Sequence, residues 1–324
     1  MTLVGIDVGH KELVVVVRVK GKNHKAKRFS NDAEGHARLI TWLQKRAQPV
    51  RVCLEATGIY HFDAAVALSQ AAGLELMVIN PKAARRFGEA LMTRTKTDPV
   101  DAGVLAEFAE RMAFEPWTCP SANVLKLRAF SRRIGALTKL KTQTRNQLHA
   151  AERCAFTPAA ILEQMQAMLA ELQAQITALQ GEARTLIEAD AALAERFALI
   201  HSVRGIGERS AIQLMGELLV LPEDMSARQW VAFAGLDPRL TQSGSSVYKK
   251  PRISKAGNRY LRLALYMPAR VAANHEPRVR AYYQHLIHDQ GLKKLQALCA
   301  VMRKLLHALH GMLRTQTPFD GSRF

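Results

Sequence analysis

Leu3-Val4-Gly5-Ile6-Asp7-Val8-Gly9 reads as a buried strand interrupted by a single acid, and the rest of the opening region is read outward from it. Leu13–Val19 is a second, β-branched run. The turn residues Gly21-Lys22-Asn23 lead to a third strand around Ala26–Phe29. A helix is expected to open at Asn31, with Glu34 completing a capping box, and to run through Leu39, Ile40 and Leu43. Val50-Arg51-Val52-Cys53-Leu54-Glu55 is a fourth strand that ends in an acid. Thr57-Gly58 turns into a helix reaching about Ala72, and Leu74–Ile79 is a fifth strand closed by Asn80-Pro81 and another helix. Three meander strands followed by alternating helices and strands is the order of an RNase H-like fold. In that fold the first strand, the end of the fourth and a late helix converge at one edge of the sheet.

The late helix is announced by Arg94-Thr95-Lys96-Thr97-Asp98-Pro99-Val100-Asp101. Asp98 suits an N-cap, Pro99 the first helical position, and Asp101 the positive helix end, so local capping accounts for both acids. On a helix they also share a face. Asp7, Glu55, Asp98 and Asp101 thus sit on the three elements that converge. A carboxylate inside a buried strand is costly unless something compensates it, and a divalent cation does so. The all-oxygen donor set points to Mg²⁺, and a pair of such ions could position a nucleophile and a leaving oxygen for phosphoryl transfer.

Global charge sets the partner class. Lys and Arg total 46 against 28 Asp and Glu in 324 residues, a formal charge of +18, which favours a polyanion such as nucleic acid. No apolar run approaches a membrane span. The opening Met1–Val8 reaches an acid too soon for a secretory leader, and Cys53, Cys119, Cys154 and Cys299 show no metal-binding or disulfide spacing, so a reducing cytoplasm is expected.

Pro116 and Pro120 mark a boundary that divides the chain into 1–115, 116–195 and 196–324. The middle part opens with an amphipathic helix whose charges are all basic: Lys126, Arg128, Arg132, Arg133, Lys139, Lys141 and Arg145. Uniform sign favours phosphate contact over a plain solvated face. After Thr157-Pro158, Leu162, Met165, Leu169, Leu172, Ile176, Leu179, Ala183 and Leu186 form a coiled-coil seam. The seam suits either an internal hairpin against the basic helix or a dimerisation stalk, with the stalk favoured.

In the last part, Gly205-Ile206-Gly207 lies between helices. It reads as a helix-hairpin-helix-like turn whose amides could hold a phosphate, or simply as a glycine-rich connection. Ser226 caps a helix ended by Gly235. Ser243-Gly244-Ser245-Ser246 follows, ringed by Arg239, Lys249, Lys250, Arg252 and Lys255. No histidine stands nearby to activate a serine, so the chemistry of the loop alone favours a phosphate-gripping turn over a nucleophile.

In order along the chain, Gly5-Ile6-Asp7, Glu55-Ala56-Thr57-Gly58, Val78-Ile79-Asn80-Pro81, Lys96-Thr97-Asp98 with Val100-Asp101, and Leu105-Ala106-Glu107-Phe108 match a known pattern. Gly205-Ile206-Gly207, Phe233-Ala234-Gly235-Leu236, Ser243-Gly244-Ser245-Ser246-Val247 and Ser254-Lys255-Ala256-Gly257 continue it. Over nearly its full length the chain resembles transposases of the insertion-sequence 110 family, relatives of the pilin-gene invertase. Arg204 departs from the proline common in similar hairpins.

The resemblance implies an α/β plus α protein: an RNase H-like, RuvC-like DEDD domain, a coiled-coil helical middle, and a mainly helical transposase domain. It implies Asp7, Glu55, Asp98 and Asp101 as Mg²⁺ ligands and Ser243 as a catalytic serine that forms a phosphoserine link to cleaved DNA. It further implies a structured bridge RNA that pairs with donor and target DNA, and homo-oligomers, a dimer or a dimer of dimers on two DNAs. The alternative is a RuvC-like metal-dependent junction nuclease with no covalent serine intermediate.

Overall fold

The computed structural model describes residues 1–324 apart from 57, 93–94, 96, 244–246 and 322–323, with the backbone alone at 241, 243, 247, 249 and 250. The chain divides into two compact units, Met1–Cys119 and Pro120–Phe324.

In the first unit, β1 (Thr2–Val8), β2 (Glu12–Val19), β3 (Lys22–Asn23) and β4 (Lys27–Ser30) form the meander. Then come α1 (Ala33–Gln44), β5 (Val50–Glu55), α2 (Phe62–Ser69), β6 (Leu74–Ile79), α3 (Pro81–Ala90) and α4 (Asp98–Arg111). The sheet is mixed and six-stranded, in the order β3-β2-β1-β5-β6, with β4 also pairing with β2. Strand β1 runs antiparallel to β2 and parallel to β5, and β6 is parallel to β5.

Strand alternation sorts the two faces of this sheet. Val4, Ile6, Val52 and Leu54 pack with Leu39 and Leu43 of α1 and with Ala64 and Leu68 of α2. On the opposite face Leu3, Cys53 and Met77 pack with Ala84 of α3 and with Leu105 and Ala109 of α4. Helices therefore cover both faces, which is why β2 reads as a continuous apolar run rather than an alternation. Its one basic residue, Arg18, is buried, donating from Nε to Glu110 Oε2 at 2.7 Å and lying 3.6 Å from Glu107, so it clamps the C-terminal half of α4 to the sheet.

Two helix starts fall one residue away from the sequence expectation. The cap of α1 is Asp32, which accepts from the Gly35 amide, because Asn31 is occupied elsewhere. Asn31 donates to the carbonyls of Gly9 and Tyr60 and pairs with His36. The cap of α4 is Thr97 rather than Asp98, with Pro99 one position further in.

The second unit begins with α5 (Ala122–Ala151) and α6 (Ala159–Glu188), each 30 residues and so about 45 Å long. They run antiparallel: Asn123 bonds Asp190, Lys141 bonds Gln173, and Thr144 Oγ1 lies 4.0 Å from Met168 Sδ. Leu172, Ile176, Ala183 and Ile187 of α6 share one core with Leu127, Ile134 and Leu137 of α5. The seam packs on its own chain, as the internal-hairpin alternative expects. The same core continues through the helices that follow, so the expected parts 116–195 and 196–324 share one compact unit that begins at Pro120.

Those helices are α7 (Ala191–His201), α8 (Glu208–Leu218), α9 (Ala227–Ala234), α10 (Arg259–His275), α11 (Pro277–His288) and α12 (Lys294–Thr315). Between α9 and α10 lies the antiparallel hairpin of β7 (Pro238–Ser243) and β8 (Val247–Ile253). Helix α9 has its Ser226–Gln229 capping box and ends at Gly235, which takes a left-handed φ of 64°.

Candidate active site and nucleic-acid interface

Gly5 is what brings the acids together. A Cβ there would lie 1.9 Å from the Ala102 carbonyl oxygen and 2.4 Å from the Ala106 nitrogen, so α4 crosses β1 in direct backbone contact. Asp7 lies two residues along the same strand and therefore on the same face. One turn back from Ala102, the first turn of α4 carries Asp98 and Asp101. Strands β1 and β5 are parallel, with Ile6 opposite Leu54, so the next residue on each is Asp7 and Glu55. All four acids gather at the carboxyl edge of the parallel strands, where open α/β sheets bind ligands.

Their proximity is visible in Asp7. Burial first, then the charges of Asp98, Asp101 and Glu55, push its carboxyl from 3.8 up to about 6, against a weaker lowering by the Val8 amide. Behind the quartet, burial and then Glu55 push the Cys53 thiol up to about 12, so it is an inert packing residue. Asp98 is the first residue of α4, and the Thr97 side chain makes no capping bond. The Asp98 carboxylate lies 3.9 Å from Arg28 Nη1 on β4, and Arg28 also pairs with Glu12.

Four oxygen ligands with no thiol or imidazole among them suit a hard divalent cation, and the mutual repulsion recorded by Asp7 is what such a cation relieves. The side chains are more open than a chelate, however. Among the described residues no group of three His, Cys, Asp or Glu is gathered tightly enough to hold a metal ion. The expected ligand set is thus assembled as a neighbourhood but not as a closed coordination shell.

The basic helix α5 is more divided than its sequence implied. Lys126, Arg133, Lys139 and Arg145 point away from the core. Arg132 instead turns inward and forms two bonds with Glu217 of α8, at 2.8 and 3.2 Å. Arg128 lies 3.9 Å from the same carboxylate, and burial, then Arg132, lower its pKa. Glu217 is 1% exposed and also accepts from Asn258 Nδ2 at 2.6 Å. Lys141 is tied to Gln173. Sequence reading missed Glu217, although an acid on the apolar face of α8 is a signal of a buried pair.

Ser243 is the last residue of β7, opposite Val247 at the end of the hairpin. Gly244–Ser246 and the side chains of Ser243, Lys249 and Lys250 lie outside the described residues. Arg239, Arg252 and Lys255 are exposed. The base of the hairpin is held by Ser254, whose hydroxyl donates to Asp237 at 2.6 Å, and by Asn258, which caps α10 while bonding Glu217. Gly205 takes φ 113°, and a Cβ there would meet the Ala272 nitrogen at 2.8 Å, so this glycine serves close packing on α10. Gly207 opens α8 with free space around it.

An acidic sheet edge in one unit and exposed bases in the other find their counterparts among known proteins. The DEDD transposase model of the IS110 type matches residues 4–153, and the model "Transposase IS116/IS110/IS902 family" matches residues 197–284. The pilin gene-inverting protein of Moraxella bovis is 27% identical over 325 residues, covering 98% of both chains. That of Moraxella lacunata is 27% identical over 329 residues, again covering 98% of each. A 43.6 kDa protein of the IS110 element of Streptomyces coelicolor is 30% identical over 155 residues, 46% of this chain and 37% of that one. The class is therefore that of the DNA transposases and recombinases. Within it, the chain belongs to the IS110 family. No helix among the described residues is long and apolar enough to cross a membrane.

Proposed function

We propose that the chain is a bridge-RNA-guided transposase with an RNase H-like, RuvC-like first unit, which cuts and rejoins DNA through a covalent link to Ser243. The carrying observation is the convergence of Asp7, Glu55, Asp98 and Asp101 at one sheet edge, where the last three raise the Asp7 carboxyl. The strand order, with an antiparallel meander followed by two parallel strands, supports the RNase H-like reading.

The four carboxylates would hold Mg²⁺, which when bound supplies Lewis-acid polarisation of a phosphate oxygen. The protein's own part is to hold these carboxylates on rigid strands and on a helix pinned by Gly5 and Arg18, so that the geometry is set before DNA arrives. In the cleavage step Ser243 Oγ forms a bond to phosphorus, the bond from phosphorus to the leaving strand breaks, and the departing oxygen takes a proton. A strand-end hydroxyl then attacks the phosphoserine, the Oγ–phosphorus bond breaks, and Oγ recovers a proton. The exposed bases of α5 and of the hairpin grip backbone without reading bases, which suits a system whose sequence information lies in paired RNA.

Ser243→Ala tests this. With DNA labelled on each strand, the wild type should yield a protease-sensitive protein–DNA adduct that the variant lacks. Metal-dependent nicking by Ser243→Ala at the wild-type rate would instead favour a junction nuclease. Sequencing of RNA that co-purifies with the protein tests the guide, and only heterogeneous cellular RNA would count against it.

A further inference from the structure

A second feature, built from neither the carboxylates nor the serine hairpin, belongs to the second unit. One face of α12, Tyr282 of α11, and Thr317, Pro318, Phe319, Asp320 and Phe324 line a cleft of about 670 Å³. That volume lies within the roughly 300–1,000 Å³ of small-ligand pockets. Its wall is aromatic: Tyr282, Phe319 and Phe324 stand edge to face, with ring centroids 6.0 and 6.2 Å apart. Its α12 side carries the cations Arg303 and Lys304, with the His307 imidazole beside them. The Lys304 ammonium lies 4.2 Å from the Tyr282 ring centroid and 5.1 Å from that of Phe324. The same lining carries one carboxylate, Asp320, so its excess of positive charge rests on Arg303 and Lys304 together. Burial, then Arg303, His310 and Arg228, push the pKa of His307 down, as expected where positive charge accumulates.

We propose that this cleft receives one unpaired nucleotide of a single-stranded nucleic acid, its base against Tyr282, Phe319 and Phe324 and its phosphate held by Arg303, Lys304 and His307. Cations beside ring faces are what single-strand sites combine, because every base offers a face to stack and every link a phosphate to pair. A duplex keeps its bases stacked inside and cannot offer one to a cleft of this size. The carboxylate site is not needed for this chemistry. Only the source of the strand, an extruded position in the RNA or the DNA the enzyme handles, rests on the proposed function.

The test uses the full chain, a fluorescent single-stranded decamer carrying one photoreactive 5-iodouracil, and its duplex form. Crosslinks should map to Tyr282, Phe319 or Phe324. Arg303→Gln with His307→Gln, and separately Tyr282→Leu, should weaken single-strand binding about tenfold, the size expected when one base no longer stacks. Duplex affinity should change by less than about twofold. Equal weakening of both forms, crosslinks confined to other residues, or an acidic peptide competing as well as the strand would each overturn the inference. A free mononucleotide binding as tightly as the decamer would overturn the assignment to a strand. Metal-dependent DNA cleavage is scored in the same variants. Cleavage without the crosslink sinks this inference alone, and the crosslink without wild-type cleavage sinks only the proposed function.

Discussion

Asp7→Asn should make the metal-free protein more stable while abolishing cleavage. A carboxyl whose folded pKa is raised from 3.8 to about 6 costs the folded state free energy when it ionises. At about 1.36 kcal/mol per pH unit the full cost is about 3 kcal/mol, and screening of a half-buried group reduces it to about 1–2 kcal/mol. The sign follows from the direction of the shift. Asp7 imposes no penalty well below its unfolded pKa of 3.8, where both folded and unfolded forms are protonated. Stability is lost as pH rises from that value to the folded pKa of about 6, and the whole penalty is present above it. Asparagine cannot ionise, so the variant should gain about 1–2 kcal/mol over wild type at about pH 7.5 and almost nothing at about pH 2.5. Urea unfolding in chelator, followed by tryptophan fluorescence, reads this directly, since Trp42 and Trp117 lie in the first unit. Magnesium should raise wild-type stability at about pH 7.5 and do much less for the variant. A variant that is less stable at that pH, or a difference between the two proteins that is the same at both pH values, would refute the electrostatic account of the site.

Gly5→Ala tests how the site is built without touching an acid. Its Cβ would fall 1.9 Å from the Ala102 carbonyl oxygen, so α4 must move, with an expected loss of about 1–3 kcal/mol and of cleavage; retained cleavage would show that the close crossing is unnecessary. Glu217→Ala leaves Arg132 and Asn258 without their acceptor and should destabilise the second unit by about 3–5 kcal/mol in urea unfolding, far more than any exposed base of α5. Arg133→Gln, Lys139→Gln and Arg145→Gln should each flatten the salt dependence of nucleic-acid affinity, by a slope of about one for each phosphate no longer neutralised. Arg132→Gln should act chiefly on stability, and an effect on the salt slope alone would contradict its inward orientation.

The elements of the first unit and the identity of its four acids were legible in sequence because both signals are local. Continuous apolar, β-branched runs mark strands buried on both faces, and an acid that ends or interrupts such a run stands out against it, as Asp7 and Glu55 do. Helix bounds were less legible: α1 and α4 start within a residue of the expectation, whereas α2 spans only Phe62–Ser69 of a helix expected from Thr57-Gly58 to about Ala72. The heptad seam of α6 was equally plain, but a seam states only that something apolar must cover it. The tertiary structure supplied the cover from the same chain, in α5.

What sequence could not determine depended on distant partners. Arg128, Arg132, Lys126 and Arg133 are alike along one helix, yet the first two are withdrawn from solvent by Glu217, 85 residues beyond Arg132. Gly5 looked like a strand residue, and only the crossing of α4 shows that its missing side chain admits the helix carrying Asp98 and Asp101. The sequence by itself determined which groups the protein owns: the strands, the acids, the serine loop and the excess of bases. Tertiary structure decided which of those groups face one another, because burial and ion pairing depend on neighbours in space that spacing along the chain does not encode.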